Sequence, residues 1–189
     1  MDKMLFTSES VTCGHPDKLC DQVADKILDE LLAQDPNSHV ACEVTCTENR
    51  MHIFGEVTSE AQVNYQALAR QVIEEVGYTQ MGQGFDAYTC DITTDIHRQS
   101  PDIARGIYRG REDELLDAGA GDQGTVFGYA CKQTKSLMPL PIELAHELAK
   151  RLETVRRTGE LPFLLPDGKS QVTVEYDGDC PIRIASVLV

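Results

Sequence analysis

The sequence is short of basic residues and of long apolar runs. Its 189 residues include 17 Lys plus Arg against 31 Asp plus Glu, a formal net charge of -14. Binding to DNA or RNA without sequence preference needs many cationic contacts to phosphates, so this balance disfavours a nucleic-acid partner. The uncharged apolar stretches fall far short of the roughly 20 residues of a membrane-spanning helix, which disfavours a membrane protein. A phosphate ligand would have to be held by metal ions or by a few local basic residues.

Zinc-type cysteine pairs are also missing. The seven cysteines are odd in number and include no C-x-x-C pair, which speaks against a zinc site or a disulfide framework. Cys42 and Cys46 share one side of an alternating pattern, and we interpret them as small hydrophobic residues. The first residues lack the apolar core and cleavage site of a secretory signal, so we expect a cytoplasmic protein. Without low-complexity runs, the composition favours a globular fold.

Hydrophobic periodicity predicts a helix, a hairpin, a second helix and a strand in the first half of the chain. In order, these are a helix at 16–34, strands at 39–47 and 50–57, a helix from Ser59 to Val76 and a strand at 88–96. Pro16 suits the first position of a helix, and the S-x-x-Q sequence at Ser59 fits a capping box. A hairpin turn centred on Glu48-Asn49 pairs residues whose numbers add up to 97. One hairpin face is then wholly apolar, with the pairs Val40/Val57, Cys42/Gly55, Val44/Ile53 and Cys46/Met51.

The second half starts a similar order of elements. We predict a strand at 125–132, a helix at 141–158 with Gly159 as its cap, and strands at 170–176 and 181–189. The stretch from His97 to Leu116 fits neither a helix nor a strand, and a connection of that length is usually functional or mobile. Because the order of helix and hairpin begins again and then stops, we expect an α+β protein with a weak structural repeat. The chain would then be a fragment of a longer protein.

The segment Gly14-His15-Pro16-Asp17-Lys18 opens the first predicted helix. The unpaired N–H groups and the positive dipole end of a helix favour an anion there. Lys18 could face a phosphate, Asp17 could hold Mg2+, and His15 could donate a hydrogen bond to charge that develops on a leaving oxygen. In the alternative reading, Asp17 only complements the helix dipole and His15 only caps the helix. The residues alone leave both readings open.

Carboxylates recur in two further patterns. Asp17 is followed by acidic residues at i, i+4 spacing, and the outer members of this row are best explained as a solvated helix face. In the predicted hairpin, Glu43 and Glu56 lie on the polar face as diagonal neighbours, within about 7 to 8 Å. Two carboxylates so close favour a cation or an ammonium ligand between them. An ordinary exposed sheet face remains the alternative.

A glycine-rich segment and a loop lysine complete the candidates. Residues 119–124 match G-x-G-x-x-G literally, but a dinucleotide site needs a strand before and a helix after. Here the charged, helix-like residues 112–117 precede the motif and the β-rich residues 125–129 follow it. The glycines would instead let the backbone approach a ligand, with Asp122 aimed at it, or form a plain tight turn. Lys169, at the end of a Pro-Asp-Gly turn, is a weak candidate alone, since loop lysines are usually solvated.

Six segments, taken together, resemble one known family. They are FTSESV at 6–11, GHPDK at 14–18, QSPDI at 99–103, GAGDQG at 119–124, FGYA at 127–130, and Leu161-Pro162 through PDGKSQ at 166–171. Over essentially its whole length the chain resembles S-adenosylmethionine synthetase, also called methionine adenosyltransferase. The resemblance implies attack of the methionine sulfur on C5′ of ATP and cleavage of the displaced tripolyphosphate. It also implies Mg2+ and K+ as cofactors, sheet-and-helix units with pseudo-threefold symmetry, and a homo-oligomer, either a dimer or a dimer of dimers.

The resemblance also implies a role for each matching residue. It makes His15 and Lys18 catalytic and Asp122 a substrate-positioning carboxylate; it assigns ATP contacts to His15, Asp167, Gly168 and Lys169, methionine contacts to Glu56 and Gln99, Mg2+ to Asp17 and K+ to Glu43. The expected domains are an N-terminal one at 1–118, with a mobile loop at about 97–118, and an incomplete central one at 119–189.

Two departures from the family pattern bear on activity. The usual Ser-Glu before Gly14 is Thr12-Cys13 here, which removes an acidic residue near the expected metal site. The GGGAFSGKD-like motif that the family places in its C-terminal half is absent. The alternatives to an active enzyme are therefore an inactive or assembly-only fragment, or a Mg2+-dependent polyphosphate hydrolase that keeps only the phosphate site.

Overall fold

In a computed structural model of the chain, the structure describes residues 3–98 and 124–189. The helices and strands in these ranges are β1 Lys3–Val11, α1 Pro16–Gln34, β2 His39–Thr47, β3 Arg50–Thr58, α2 Tyr65–Val76, β4 Asp91–His97, α3 Leu140–Arg157, β5 Lys169–Asp177 and β6 Cys180–Leu188. The strands form two three-stranded sheets, so the expected α+β class is confirmed. None of the helices in the described ranges is long and apolar enough to cross a bilayer.

The chain divides into two compact units, each assembled from separate segments. The first unit comprises Met1–Leu19, Ile73–Gln80 and Gly128–Val189, and the second comprises Cys20–Val72 and Met81–Phe127. These units interleave along the chain, whereas the predicted domains at 1–118 and 119–189 are continuous. The continuous division therefore stays a prediction.

The first unit is built on the antiparallel sheet β1-β5-β6, with α3 packed on one face. The alternating residues Val172, Val174 and Tyr176 of β5 point to α3, because a strand turns every second side chain to the same face. They form a buried cluster with Ala145, and leucines of α3 pack against it. Gly159 ends α3 in the left-handed conformation at φ +73°, one residue after the C-cap Thr158.

The second unit is built on the sheet β2-β3-β4, in which β2 and β3 are antiparallel and β3 and β4 are parallel. Most of its buried apolar side chains come from α1, β3, α2 and β4, among them Val23, Ile27, Leu31, Met51, Ile53, Ala69, Val72 and Ile92. The predicted hairpin register is confirmed at every pair, from Val40 opposite Val57 to Cys46 opposite Met51. The predicted first helix is confirmed over the same residues, 16–34.

The surroundings of Cys42 suit the interpretation of this residue as a small hydrophobic one. The seven cysteines, all of which lie in the described ranges, are free thiols. Burial, followed by the nearby Glu43 carboxylate, raises the pKa of the Cys42 thiol to about 11. Burial also raises the pKa of Cys90 to about 11. Both thiols therefore stay protonated and poorly reactive near neutral pH, as small hydrophobic residues would be.

Three element predictions were wrong, each for a local physical reason. Helix α2 begins at Tyr65, because Asn64 rather than Ser59 caps it: Asn64 Oδ1 accepts the Ala67 N–H at 3.0 Å. Strand β4 begins at Asp91, since the preceding residues form a turn whose N–H groups bond to Asp86. Residues 124–130 form no strand despite their alternating pattern, and their side chains are exposed without a partner strand in the described ranges.

Gly55 offers a direct test of the register of the second sheet. Its φ is +135°, and a Cβ there would lie 2.1 Å from the carbonyl oxygen of Ala41 on β2. Gly55→Ala should cost about 3 kcal/mol or more, the sum of backbone strain and overpacking. Gly82→Ala is the matched control, because Gly82 has φ +86° and nothing within 4 Å. It should cost only about 1 kcal/mol in urea unfolding, and equal losses for both variants would contradict the register.

Candidate functional site

The candidate site lies at one end of the β1-β5-β6 sheet, in the first unit. Strand β1 ends at Val11, directly opposite Lys169, where β5 begins. Because the strands are antiparallel, the loop after β1 and the loop before β5 leave the sheet at the same end. The first loop is residues 12–15 and the second is residues 166–168; we call them the His15 loop and the Asp167 loop. Residues predicted from two distant motifs therefore meet in one place.

The two loops are in direct backbone contact. Thr12 N–H donates to the Gly168 carbonyl at 2.9 Å, and the Thr12 hydroxyl donates to the Pro166 carbonyl at 2.7 Å. Gly14 lies so close that a Cβ there would be 2.4 Å from the Pro166 carbonyl carbon and oxygen. Glycine is thus required at position 14 by the close approach of the chain, and the loops form one packed element.

His15 sits at the junction of its loop with α1. Its N–H donates to the Thr12 carbonyl at 3.2 Å, and its own carbonyl accepts the Leu19 N–H at 2.8 Å. The ring Nδ1 accepts the Asp17 N–H at 3.3 Å, so the capping role considered above is present. This contact uses the unprotonated Nδ1, which places the proton of a neutral ring on Nε2. Capping and donation from Nε2–H are therefore compatible roles for one imidazole.

Asp17 lies in the first turn of α1, with a side chain that is 93% exposed. In the described ranges no group of three or more His, Cys, Asp or Glu side chains could hold a metal ion. Mg2+ characteristically keeps several waters and takes one or two carboxylates plus substrate phosphates. A single solvated carboxylate at a helix start is compatible with that kind of Mg2+ binding, whereas no all-protein metal cage exists among the described residues.

The two predicted lysines have partners within the protein. Lys18 is half-buried, and its Nζ donates to the Val11 carbonyl at 2.6 Å, which ties the start of α1 to the end of β1. Lys169 forms an ion pair with Glu9, and both side chains are about half exposed. Asp167, two residues before Lys169, is exposed. Lys169 is thus the more accessible ammonium, and an incoming anion would compete with Glu9 for it.

Glu43 and Glu56 lie in the second unit, on the polar face of the β2-β3-β4 sheet. Glu43 is opposite Phe54 and Glu56 is opposite Ala41, so the two carboxylates are diagonal neighbours as predicted. Both are exposed. The rings of His52 and Phe54 stack on this face, with centroids 5.3 Å apart and planes 15° apart.

The structure adds residues to that face which the sequence analysis missed. Strand β4 pairs with β3 in parallel and places Asp95 opposite Phe54 and His97 opposite Glu56. Asp95 Oδ1 and His97 Nε2 lie 2.9 Å apart. The alternation of Asp95 and His97 with buried Ile92 and half-buried Ile96 could have shown that the two polar residues share one face of their strand. It could not have shown that this strand lies beside β3. The face therefore carries both acidic and imidazole groups.

Some predicted site residues lie outside the residues that the structure describes. Gln99, Asp122 and residues 119–123 lie outside the described residues, so the predicted methionine contact, the substrate-positioning carboxylate and most of the glycine-rich motif remain predictions. The sequence analysis also missed Tyr78, whose hydroxyl donates to the Gly14 carbonyl at 2.6 Å. No local pattern links a tyrosine after α2 to a loop 64 positions earlier.

Comparisons with known proteins agree with the motifs. A family model for the N-terminal domain of S-adenosylmethionine synthetase matches residues 3–101, and one for the central domain matches residues 117–189. Among curated relatives, the "S-adenosylmethionine synthase" of Gloeothece citriformis is 54% identical over 99% of this chain, and that of Thermosynechococcus vestitus is 55% identical over 99%. The one from Parasynechococcus marenigrum is 54% identical over 100%. The chain spans about half the length of these relatives, 46% to 47%.

The close approach of the two loops predicts the effect of adding one methyl group. Gly14→Ala should lower the free energy of unfolding by about 1 to 3 kcal/mol, because Pro166 backbone must move away. The control is Gly128→Ala in the same unit, where nothing lies within 4 Å of the added Cβ. Urea unfolding of both variants measures the difference. A Gly14→Ala protein as stable as the control would show that the loops are not packed together.

Proposed function

The chain belongs to the S-adenosylmethionine synthetase family, and from this premise we propose that it supplies the ATP and methionine contacts of an adenosyl transferase. The reaction transfers the adenosyl group of ATP to L-methionine, giving S-adenosylmethionine, and hydrolyses the released tripolyphosphate to pyrophosphate and phosphate. The observation that carries the proposal is the packing of the His15 loop on the Asp167 loop. It collects an imidazole, a carboxylate and an ammonium at one helix start, where an anion is favoured.

The residues of the first unit suit the leaving group of this reaction. Attack of the methionine sulfur on C5′ breaks the C5′–O bond and leaves its electron pair on tripolyphosphate. Donors fixed in advance around developing charge are the strongest aid an enzyme gives to such a step. We assign His15 Nε2–H and the Lys169 ammonium to this role, with Gly168 and Asp167 lining the ATP. Lys18 acts at the same helix start, where its ammonium already bonds to the Val11 carbonyl.

Metal ions complete the charge balance of the proposed site. Asp17 would hold Mg2+ beside the polyphosphate, consistent with its solvated carboxylate. When bound, Mg2+ neutralises phosphate oxygens and stabilises charge on the leaving group. On the polar face of the second unit, Glu43 would hold K+, and Glu56 would receive the ammonium of methionine, with Gln99 as a further methionine contact. Both carboxylates are exposed and fit cationic partners.

The wider setting follows from the family. We propose that the complete protein acts in the cytoplasm as a homo-oligomer, a dimer or a dimer of dimers, built from sheet-and-helix units with pseudo-threefold symmetry. Because the chain spans about half of its relatives, we further propose that it needs the complementary half for turnover. Nucleic acid and membrane are not expected partners, in keeping with the formal charge of -14.

A chimera tests the activity directly. The chain would be joined to the C-terminal part of the Gloeothece citriformis relative and incubated with ATP, methionine, Mg2+ and K+. We expect the chimera to form S-adenosylmethionine and the 189-residue chain alone to form none. His15→Ala in the chimera should reduce turnover by about 100-fold or more, the usual contribution of a proton-donating side chain. The matched control His39→Ala, at the start of β2, should leave turnover nearly unchanged.

The products distinguish the alternatives. Release of phosphate without S-adenosylmethionine would support a polyphosphate hydrolase instead. S-adenosylmethionine formed by the 189-residue chain alone would contradict the need for a second half. Near-normal turnover of the His15→Ala chimera would remove His15 from the catalytic residues.

Asp17 is tested by the Mg2+ dependence of anion binding. Asp17→Asn should weaken binding of tripolyphosphate in the presence of Mg2+ by about tenfold or more, since one charged contact is worth about 1.5 to 3 kcal/mol. Binding without Mg2+ should not weaken, because a repulsive carboxylate is removed. Asp29→Asn is the control, because Asp29 lies about three turns further along α1 and is also exposed. Titration calorimetry measures both, and equal Mg2+ responses would contradict the assignment.

A further inference from the structure

Thr12 uses its backbone N–H and its side-chain hydroxyl to join the His15 loop to the Asp167 loop. Its N–H bonds to the Gly168 carbonyl, its hydroxyl bonds to the Pro166 carbonyl, and its methyl lies 3.1 Å from where a Cβ on Gly168 would be. The hydroxyl also lies 3.3 Å from the Gly168 carbonyl oxygen. Thr12 is 5% exposed. This side chain therefore faces loop backbone and does not face solvent.

The opposite side of the His15 loop is also held. Tyr78 follows α2, and its hydroxyl donates to the Gly14 carbonyl. The carbonyl of Thr12 accepts the His15 N–H. The Thr12–Cys13 and Gly14–His15 peptides are therefore each held by a hydrogen bond. The position of His15 depends on Thr12 on one side of the loop and on Tyr78 on the other.

The consequence is a rigid spacing between two proposed anion contacts. His15 comes three residues after Thr12, and Lys169 comes one residue after Gly168. Groups that bind a polyphosphate lose least entropy when their separation is fixed before the ligand arrives. A hydrogen bond that fixes this separation therefore acts on ligand affinity as well as on stability.

We propose that Thr12 is a positioning residue of the anion site, which sets the distance between His15 and Lys169 through its hydroxyl. This inference rests on the proposed function for the identity of the ligand, but the coupling of the loops can be measured without any ligand. The site takes a polyphosphate, with inorganic tripolyphosphate as its simplest form. Thr12 itself touches loop backbone rather than the reacting atoms.

The chain provides a matched control for the loss of one hydroxyl. Thr7, on β1, shares a side-chain hydrogen bond of 2.9 Å with Thr173 on β5 and belongs to neither loop. Thr12→Val and Thr7→Val make the same chemical change. Each removes one threonine hydroxyl and keeps the side-chain volume. Thr12→Val loses the bonds to the Pro166 and Gly168 carbonyls, and Thr7→Val loses the bond to Thr173. Thr12→Ser keeps the hydroxyl and removes only the methyl.

The first measurement is made on the ligand-free chain. Amide hydrogen exchange of Thr12 and His15 should become about tenfold faster or more in Thr12→Val, because a buried bond is lost. It should stay near the wild-type rate in Thr7→Val and in Thr12→Ser. If Thr12→Val and Thr7→Val show the same exchange at these two amides, the positioning role is overturned.

The second measurement is titration calorimetry with magnesium tripolyphosphate. Thr12→Val should bind about tenfold more weakly than Thr7→Val at a similar melting temperature, and Thr12→Ser should restore the affinity. Tyr78→Phe should weaken binding in the same direction. Equal affinities for the two valine variants would overturn the inference even if the wild type binds well.

A wild-type chain that does not bind magnesium tripolyphosphate would count against the proposed function instead. The exchange measurement would then decide the positioning role by itself. The two measurements thus distinguish a chain that does not bind tripolyphosphate from a chain in which Thr12 does not couple the two loops. If Thr12→Val does not fold, Thr12→Ala and Thr12→Ser are compared instead, since they differ only in the hydroxyl. Equal exchange and equal affinity in these two variants would overturn the positioning role.

Discussion

The antiparallel pairing of β1 with β5 is the constraint on which the proposed anion site depends. These strands are far apart in sequence, yet nine positions of Lys3–Val11 are in register with Asp177–Lys169. The pairing brings the chain after Val11 beside the chain before Lys169, where the bonds of Thr12 lock the two loops together. A register shift of one residue would turn every side chain to the other face and separate these loops.

How far the fold could be predicted depended on the range of each interaction. The hairpin of β2 and β3 was predicted to the exact pair because its turn and its apolar face are local. Strand β1 was missed, since its partner lies in the second half and Met4, Leu5 and Phe6 give no alternation of burial. Residues 125–132 show the converse: they alternate like a strand but have no neighbouring strand among the described residues. The alternation of apolar residues predicts which segments could form a strand. Whether a segment joins a sheet depends on a neighbouring strand, which can lie far away in the sequence.

The site shows the same division between local and distant causes. Residues 14–18 could be identified because a helix start explains the anion preference of a local motif. Thr12 gave no such signal, because its function depends on carbonyls of Pro166 and Gly168. Capping by His15 and its proposed donation to a ligand are compatible, since the cap uses Nδ1 and the donation would use Nε2. Gln99 and Asp122 lie outside the described residues and stay predictions from the family.

The acidic composition now has a physical place in the proposed mechanism. Lys169 already pairs with Glu9, so a polyphosphate must displace a carboxylate that belongs to the chain. An exposed pair of this kind is worth about 0 to 1 kcal/mol, which a multiply charged ligand overcomes easily. The excess of acidic side chains repels a free polyphosphate more strongly than its magnesium complex, because the complex carries less negative charge. In the proposed mechanism, a site with few cations and the solvated carboxylate of Asp17 would therefore favour the metal-bound form of a polyphosphate.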